Sequence, residues 1–451
     1  MENIIERFPL LAKGIFSKLD NKSLVQAKDI CSTWRNSITY RKFHWIRIIQ
    51  THLDDEQELT SAHWQNVLLR TSVETVKELS IAVYKFYKFD QSRYYMEKWS
   101  PLHITVEQDN FTLSQHVMNK VNEMDPKNSN GTTPIHFAAS NGNLELFKLI
   151  FVGSKEKNPS DIFGITPHYL AALDGHFEIC QFIIKHVKEK NQADTLGYTP
   201  LFVAAENGFV DICKLIIGNV DDKNPAINHG ETPLFVAAKN GHFEICKLII
   251  ENVDAKNPLT IEGETPLHVA ASNGHFEACK LIIESVDDKN PAMINGSTPL
   301  YIAAKNGHFE ICKLIIEVEG DKNPPLINGA TPLYIAAQNG HLEICKLIIE
   351  SVDDKNPGRN DGATPFYTAA ENGHLEICNL IIDNVDDKNP PRKGGFTPLC
   401  IAATNGHLEI CMLLIEKVGN KSLGPLMMNT ISILRKRPRG WTKCWQRWQN
   451  K

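Results

Sequence analysis

A threonine–proline pair recurs every 33 residues through the middle of this chain, and this period constrains the fold more than any other feature. The spacing holds without insertion, with the proline at Pro134, Pro167, Pro200, Pro233, Pro266, Pro299, Pro332, Pro365 and Pro398. A period of this length is typical of repeat proteins, in which each unit buries its apolar surface against the next. The chain is therefore predicted to be a stack of similar units, although 451 residues alone would suggest about three globular domains.

The unit at residues 230–258 shows what each copy is expected to form. Thr232 suits the N-cap of a first helix, and Pro233 suits its first position. Gly241 can adopt the left-handed conformation that ends this helix. The segment after it, residues 243–251, is apolar over most of a helical circumference, so it must be buried on both sides. Only stacked neighbours provide that burial.

The period and the string G-x-T-P-L-x-x-A-A-x-N-G-H resemble the ankyrin repeat. The resemblance implies an all-α solenoid of helix–turn–helix units joined by β-turn fingers. Nine such repeats would cover residues 131–421. A degenerate capping repeat would precede them at residues 100–130, because Ser100-Pro101 falls 33 residues before Thr133-Pro134.

Positions that vary between units are free to carry recognition, because packing accounts for the constant ones. They concentrate in the fingers and at the end of the first helix, where the resemblance implies a concave groove that binds proteins. For any one of them the alternative is ordinary solvated surface. The predicted target-binding residues are Glu206, His229, Glu231, Lys239, Glu262, Glu264, Lys305, Gln338, Arg359, Asp361, Glu371, Arg392 and Lys393.

Residues 4–48 are organised differently, with an opening Phe8-Pro9 and paired apolar positions up to Trp45. This spacing resembles an F-box, although Phe8 stands where that family usually has leucine. The resemblance implies docking on the Skp-type adaptor, and through it the cullin, of a ubiquitin ligase. The alternative is a helical cap for the repeats. The residues expected to pack the module or face the adaptor are Pro9, Ile15, Leu19, Leu24, Cys31 and Trp34.

The remaining segments are a helical connector at residues 49–99 and an apolar, then basic, tryptophan-containing tail at residues 422–451. Arg435–Arg439 could serve as a nuclear localisation signal, so we expect a cytoplasmic or nuclear protein. The net charge of −5 argues against a nucleic-acid surface over the whole body. Glu2, Glu6 and Arg7 do not fit a secretory signal peptide, and no stretch approaches the length of a membrane span.

Three chemical ladders follow the repeat, and packing is the favoured interpretation of each. Cysteines in neighbouring helices 8–10 Å apart are too distant to pair, so they are expected to be small buried hydrophobes rather than metal ligands. One histidine per turn forms a line rather than a convergent ligand set and is expected to stabilise the turn. An aromatic row in the first helix favours contacts between repeats over recognition. The rows are Cys180, Cys213, Cys246, Cys279, Cys312, Cys345, Cys378 and Cys411; His176, His242, His275, His308, His341, His374 and His407; and Tyr169, Phe202, Phe235, His268, Tyr301, Tyr334 and Tyr367.

No catalytic constellation, metal site or cofactor motif stands out in the sequence. We therefore predict a non-enzymatic, monomeric adaptor that holds a target protein on its repeats and presents it to a Skp–cullin–F-box ubiquitin ligase. The alternative is a protein-binding scaffold or cytoskeletal linker that recruits no ligase. An enzyme has no sequence feature in its favour.

Overall fold

The computed structural model describes residues 99–121 and 123–418. In this part of the chain the elements are α-helices joined by turns, with no β-strand. The all-α repeat prediction is confirmed. The chain divides into two compact units, residues 1–223 and 224–451.

The described part of the first unit contains four helix pairs. In each pair a first helix packs against its own second helix, and consecutive first helices pack side by side. Helices α1–α8 are Pro101–Glu107, Phe111–Met118, Pro134–Asn141, Leu144–Gly153, Pro167–Leu173, Phe177–His186, Pro200–Glu206 and Val210–Ile217.

The described part of the second unit contains six pairs arranged in the same way. The first helices form one layer and the second helices form another. Helices α9–α20 are Pro233–Asn240, Phe243–Ile250, Pro266–Asn273, Phe276–Ser285, Pro299–Asn306, Phe309–Val318, Pro332–Asn339, Leu342–Ser351, Pro365–Asn372, Leu375–Ile382, Pro398–Asn405 and Leu408–Val418.

Helix α9 begins and ends as the sequence predicts. The Thr232 side chain accepts a hydrogen bond from the Phe235 amide at 3.2 Å, and Pro233 occupies the first turn, where its missing N–H has no cost. Gly241 ends the helix with a φ of 76°, a left-handed conformation that disfavours other residues. These local signals recur in each copy, which is why the helices follow the 33-residue period.

Both helices of a pair contribute to the core. In α10, Ile245, Cys246 and Ile249 are fully buried, and in α9 Ala237 and Ala238 are as well. The two alanines are small enough to let neighbouring helices approach closely. Complete burial of one isoleucine stabilises a fold by about 2 kcal/mol, so the repeated isoleucines are a major source of stability.

Helix α1 begins at a variant of the same cap. The Ser100 hydroxyl lies 2.8 Å from His103 Nδ1, and the two residues form a capping box. The predicted F-box-like module at 4–48, most of the connector and the tail at 422–451 lie outside the described residues. Within the described ranges, no helix is both long and apolar enough to cross a membrane.

Candidate protein-binding face

The fingers are hydrogen-bonded turns that carry variable side chains on a constant main chain. In one finger the Ile227 amide donates to the Glu231 carbonyl at 2.9 Å, and the Gly230 amide donates to the Ile227 carbonyl at 2.8 Å. The next finger attaches to it through the Ile261 amide, which donates to the His229 carbonyl at 3.1 Å. The main chain alone therefore holds neighbouring fingers side by side.

Gly362 shows how closely two fingers approach. Its φ is +79°, and a Cβ built there would lie 3.0 Å from the Lys393 amide nitrogen. That amide donates to the Asp361 carbonyl at 2.9 Å. Because a side chain at residue 362 would press on this junction, glycine is required by both conformation and space.

None of the predicted target-binding residues is buried. Their side chains are therefore accessible on the folded repeats, as a binding face requires. Those that are exposed are Glu206, His229, Lys239, Glu262, Lys305 and Lys393, and those that are partly buried are Glu231, Glu264, Gln338, Arg359, Asp361, Glu371 and Arg392.

The second unit brings three of the predicted glutamates into one electrostatic cluster. Partial burial raises the pKa of Glu264, and the carboxylates of Glu231 and Glu262 raise it further. Lys239 opposes them and lowers the pKa, but the net shift is upward. The fingers at residues 231–264 therefore gather three carboxylates, Glu231, Glu262 and Glu264, around the Lys239 cation.

Both predicted arginines are paired with tyrosines of the preceding first helix. The Arg359 guanidinium carbon lies 5.1 Å from the centre of the Tyr334 ring, and Nη1 donates to the tyrosine hydroxyl at 3.1 Å. The Arg392 guanidinium is 5.4 Å from the Tyr367 ring and donates to its hydroxyl at 3.4 Å. We call these the arginine–tyrosine pairs.

The aromatic row is mainly packing, as the sequence analysis favours. Phe202 and Phe235 are buried, and Tyr334 and Tyr367 form a buried cluster with small side chains of the adjoining fingers. Tyr301 packs against this cluster while remaining partly exposed. The buried rings are therefore held in place by the fold before any partner arrives.

The histidine row links repeats in addition to shaping turns. The His374 amide closes the inter-helix turn by donating to the Ala369 carbonyl at 2.9 Å. Its side-chain Nε2 lies 3.1 Å from the Gln338 carbonyl oxygen of the preceding repeat. The same bond recurs in the pairs His176–Ser140, His275–Lys239, His308–Ser272, His341–Lys305 and His407–Glu371.

The cysteine row consists of buried, unpaired thiols, which confirms the packing interpretation. Burial raises the pKa of Cys246 and of Cys312 to about 12, so both stay protonated near neutral pH. A protonated, enclosed thiol is a poor nucleophile and a poor metal ligand. The described residues include no cluster of side chains that could hold a metal ion.

Two features of the repeats are not among the expectations drawn from the sequence. An asparagine before the finger caps the next first helix from a distance: Asn224 Oδ1 accepts from the Leu234 amide at 2.9 Å. Its signal was the asparagine that recurs with the period. The second feature is a row of exposed isoleucines, Ile261, Ile294 and Ile327, with side chains 65%, 73% and 73% exposed. The sequence feature that could have revealed them is an isoleucine at the same position of three successive fingers.

The predicted adaptor-binding residues Pro9, Ile15, Leu19, Leu24, Cys31 and Trp34 lie outside the described residues. The structure therefore describes only the repeat-borne residues of the predicted site, Glu206 in the first unit and the others in the second.

The family model described as Ankyrin repeats (3 copies) matches the chain in five overlapping segments, residues 67–161, 138–228, 218–293, 284–361 and 350–423. No curated protein matches the chain.

Proposed function

Because this chain belongs to the ankyrin-repeat family, whose repeats imply a protein-binding role, we propose that it is a substrate-recognition adaptor of a ubiquitin ligase. The repeats would hold a target protein, and residues 4–48 would connect it to a Skp-type adaptor and a cullin. Ubiquitin transfer would occur on the other subunits. The adaptor would act as a monomer in the cytoplasm or the nucleus.

One observation carries the target-binding half of this proposal. Residues that differ between repeats remain accessible, while the repeated residues make the core and the links between repeats. Glu262 and Lys393, for example, are exposed at positions where other repeats carry different residues. A surface of this kind can change its binding specificity without a change in the repeat fold that supports it.

The ligase half rests on the F-box spacing of residues 4–48. Forty-five residues with this many apolar positions bury little surface alone, so some of that surface is expected to meet a partner. In an interface of this type a few large side chains dominate the affinity. The residues that we propose to pack the module or face the adaptor are Pro9, Ile15, Leu19, Leu24, Cys31 and Trp34.

Affinity purification with mass spectrometry tests both halves. Full-length protein should recover a Skp-type adaptor, a cullin and a target. The L19E variant should lose the adaptor and the cullin but retain the target, because each repeat depends mainly on its neighbours. Removal of residues 1–50 should have the same effect, and in cells the target should accumulate.

A different outcome favours the alternative function. If full-length protein recovers a target but never a Skp-type adaptor, residues 4–48 are a cap and the protein is a binding scaffold or cytoskeletal linker. If L19E and wild type recover the same adaptor, the assigned docking residues are wrong.

A further inference from the structure

The two arginine–tyrosine pairs occupy equivalent positions 33 residues apart. In three preceding fingers of the second unit the arginine's place is taken by Thr260, Met293 and Leu326. Arginine at this position is therefore a feature of two adjacent fingers and not a requirement of the repeat.

The tyrosines hold each guanidinium in a fixed place. Tyr334 and Tyr367 are 5% and 2% exposed and pack on Ala330 and Ala363. Nη1 of each arginine donates to a tyrosine hydroxyl, and each Nε is buried without a hydrogen-bond partner. A guanidinium fixed in this way loses less freedom when it binds a ligand.

The neighbouring acids leave this positive charge incompletely balanced. Asp361 Oδ1 lies 3.6 Å from Arg359 Nε, which is beyond ordinary hydrogen-bond distance, and it also accepts from the Ala363 amide at 3.1 Å. Asp361 and, less strongly, Glu371 also act on Arg392 through the electrostatic field. Lys393 adds a further exposed cation beside Arg392.

The charged side chains that vary between the fingers of this unit change from mainly acidic to mainly basic along the chain. The glutamate cluster lies at residues 231–264, and the arginines and Lys393 lie at residues 359–393. Exposed Ile294 and Ile327 occupy the two fingers between these ends, and exposed Ile261 lies in the finger that carries Glu262 and Glu264. Large apolar side chains left in water in consecutive turns mark an interaction surface.

We propose that this finger face binds an acidic stretch of a partner polypeptide. Two of its carboxylates pair with Arg359 and Arg392, and its apolar side chains cover Ile294 and Ile327. A guanidinium suits a carboxylate because its planar N–H groups can form two parallel hydrogen bonds. The glutamate cluster repels the same stretch, so the acidic end of the partner is fixed over residues 359–393. This inference rests on the proposed protein-binding function and adds the chemistry of the partner.

Fluorescence anisotropy with the full chain tests the proposal. The probe is a labelled peptide of about twelve residues that mixes Glu and Leu, long enough to span three fingers at about 3.3 Å per residue. A peptide with Gln in place of every Glu is the matched probe. Wild type should bind the Glu peptide in preference to the Gln peptide.

Three variants distinguish the contribution of the arginine–tyrosine pairs to peptide binding from that of positive charge in general. R359Q/R392Q should weaken binding of the Glu peptide about tenfold or more. The control K393Q removes a neighbouring cation that has no tyrosine beneath it and should weaken binding about threefold or less. R359K/R392K keeps both charges but loses the planar groups, so it should bind nearly as poorly as the glutamine variant. Far-ultraviolet circular dichroism should be unchanged in all three.

Several outcomes would overturn the inference. Equal losses of affinity in K393Q and R359Q/R392Q would show that net charge alone accounts for binding. Wild-type affinity in R359K/R392K would show the same. Equal binding of the Glu and Gln peptides would exclude carboxylate recognition. If the full chain recovers a cellular target with R359Q/R392Q as well as wild type, this inference fails while the proposed function stands. If wild type holds no protein on its repeats, both fail.

Discussion

His268 holds the main chain of the next repeat at Ser297. Its Nε2 lies 3.2 Å from the Ser297 carbonyl oxygen, while its Nδ1 lies 2.8 Å from the Thr265 hydroxyl and 3.2 Å from the Thr265 amide. Because Nε2 faces a carbonyl it must donate, and Nδ1 must accept from the Thr265 amide. A neutral imidazole satisfies both contacts, whereas a second proton would place a donor on Nδ1 against another donor.

The first prediction is that acid weakens this link. Burial lowers the pKa of His268 from 6.5 to about 4, so the unfolded chain binds the proton more readily than the folded one. Stability is therefore complete above pH 6.5 and falls as the pH drops toward 4. Between pH 7 and 4.5 the folded state should lose about 2 kcal/mol through this residue.

The H268Y variant isolates that loss, because Tyr301 and Tyr334 occupy the same place in other repeats. Urea unfolding at pH 7 and 4.5 should show a loss about 2 kcal/mol larger for wild type than for the variant. Carboxylates titrate in both proteins and contribute equally to the loss of unfolding free energy. An equal total loss in wild type and H268Y would therefore contradict the assignment of the extra loss to His268.

The helices were predictable because their signals are local. Thr232, Pro233 and Gly241 cap one helix from within a single unit, and the same signals recur at the fixed period. The sequence also placed the variable side chains in the fingers, where they are accessible. Because the pattern repeats, the helix bounds predicted for one unit apply to all the others.

The arrangement of the candidate site was not predictable in the same way. The residues of the Arg359–Tyr334 pair are 25 positions apart, and they meet only because a finger folds back on a first helix of the preceding repeat. The upward pKa shift of Glu264 likewise depends on partial burial and on charges from neighbouring repeats. Such contacts depend on the packing of two units, which the pattern within one unit does not describe.

The second prediction concerns His168, which occupies the place that Leu201 and Leu234 take in other repeats. The side chain is fully buried, and neither ring nitrogen has a hydrogen-bond partner. Burial lowers its pKa to about 4, and the smaller, opposite effect of the Lys190 backbone does not offset this. An unpaired buried polar group is costly, so H168L should stabilise the fold by about 1–3 kcal/mol.

His136 provides the matched control in the same unit. It is also buried, but its ring lies 2.9 Å from the Thr133 hydroxyl and 3.1 Å from the Ile165 carbonyl oxygen. H136L should therefore destabilise the protein, while H168L raises the thermal midpoint. A lower midpoint for H168L would mean that the His168 ring makes a contact whose stabilising free energy exceeds the cost of burying the ring.

The third prediction is that charge cannot be tolerated at the alanine pair. Ala303 is fully buried in α13, two residues from exposed Lys305. A303E would bury an unpaired carboxylate and should cost several kcal/mol, with loss of the neighbouring repeats. K305E inserts the same side chain in the same helix and should change the thermal midpoint little. Similar midpoints for the two variants would contradict the repeat alignment.

The fourth prediction concerns the thiols. The row cysteines are buried, and burial raises the pKa of Cys279 and Cys345 to about 12. At pH 8 almost none of these thiols is ionised, and the surrounding helices block access as well. N-ethylmaleimide should therefore leave them unmodified in folded protein and label them after unfolding in guanidinium. Peptide mapping by mass spectrometry reads each site separately. Rapid labelling of Cys279 in folded protein would show that α12 separates from its neighbours far more readily than a packed core allows.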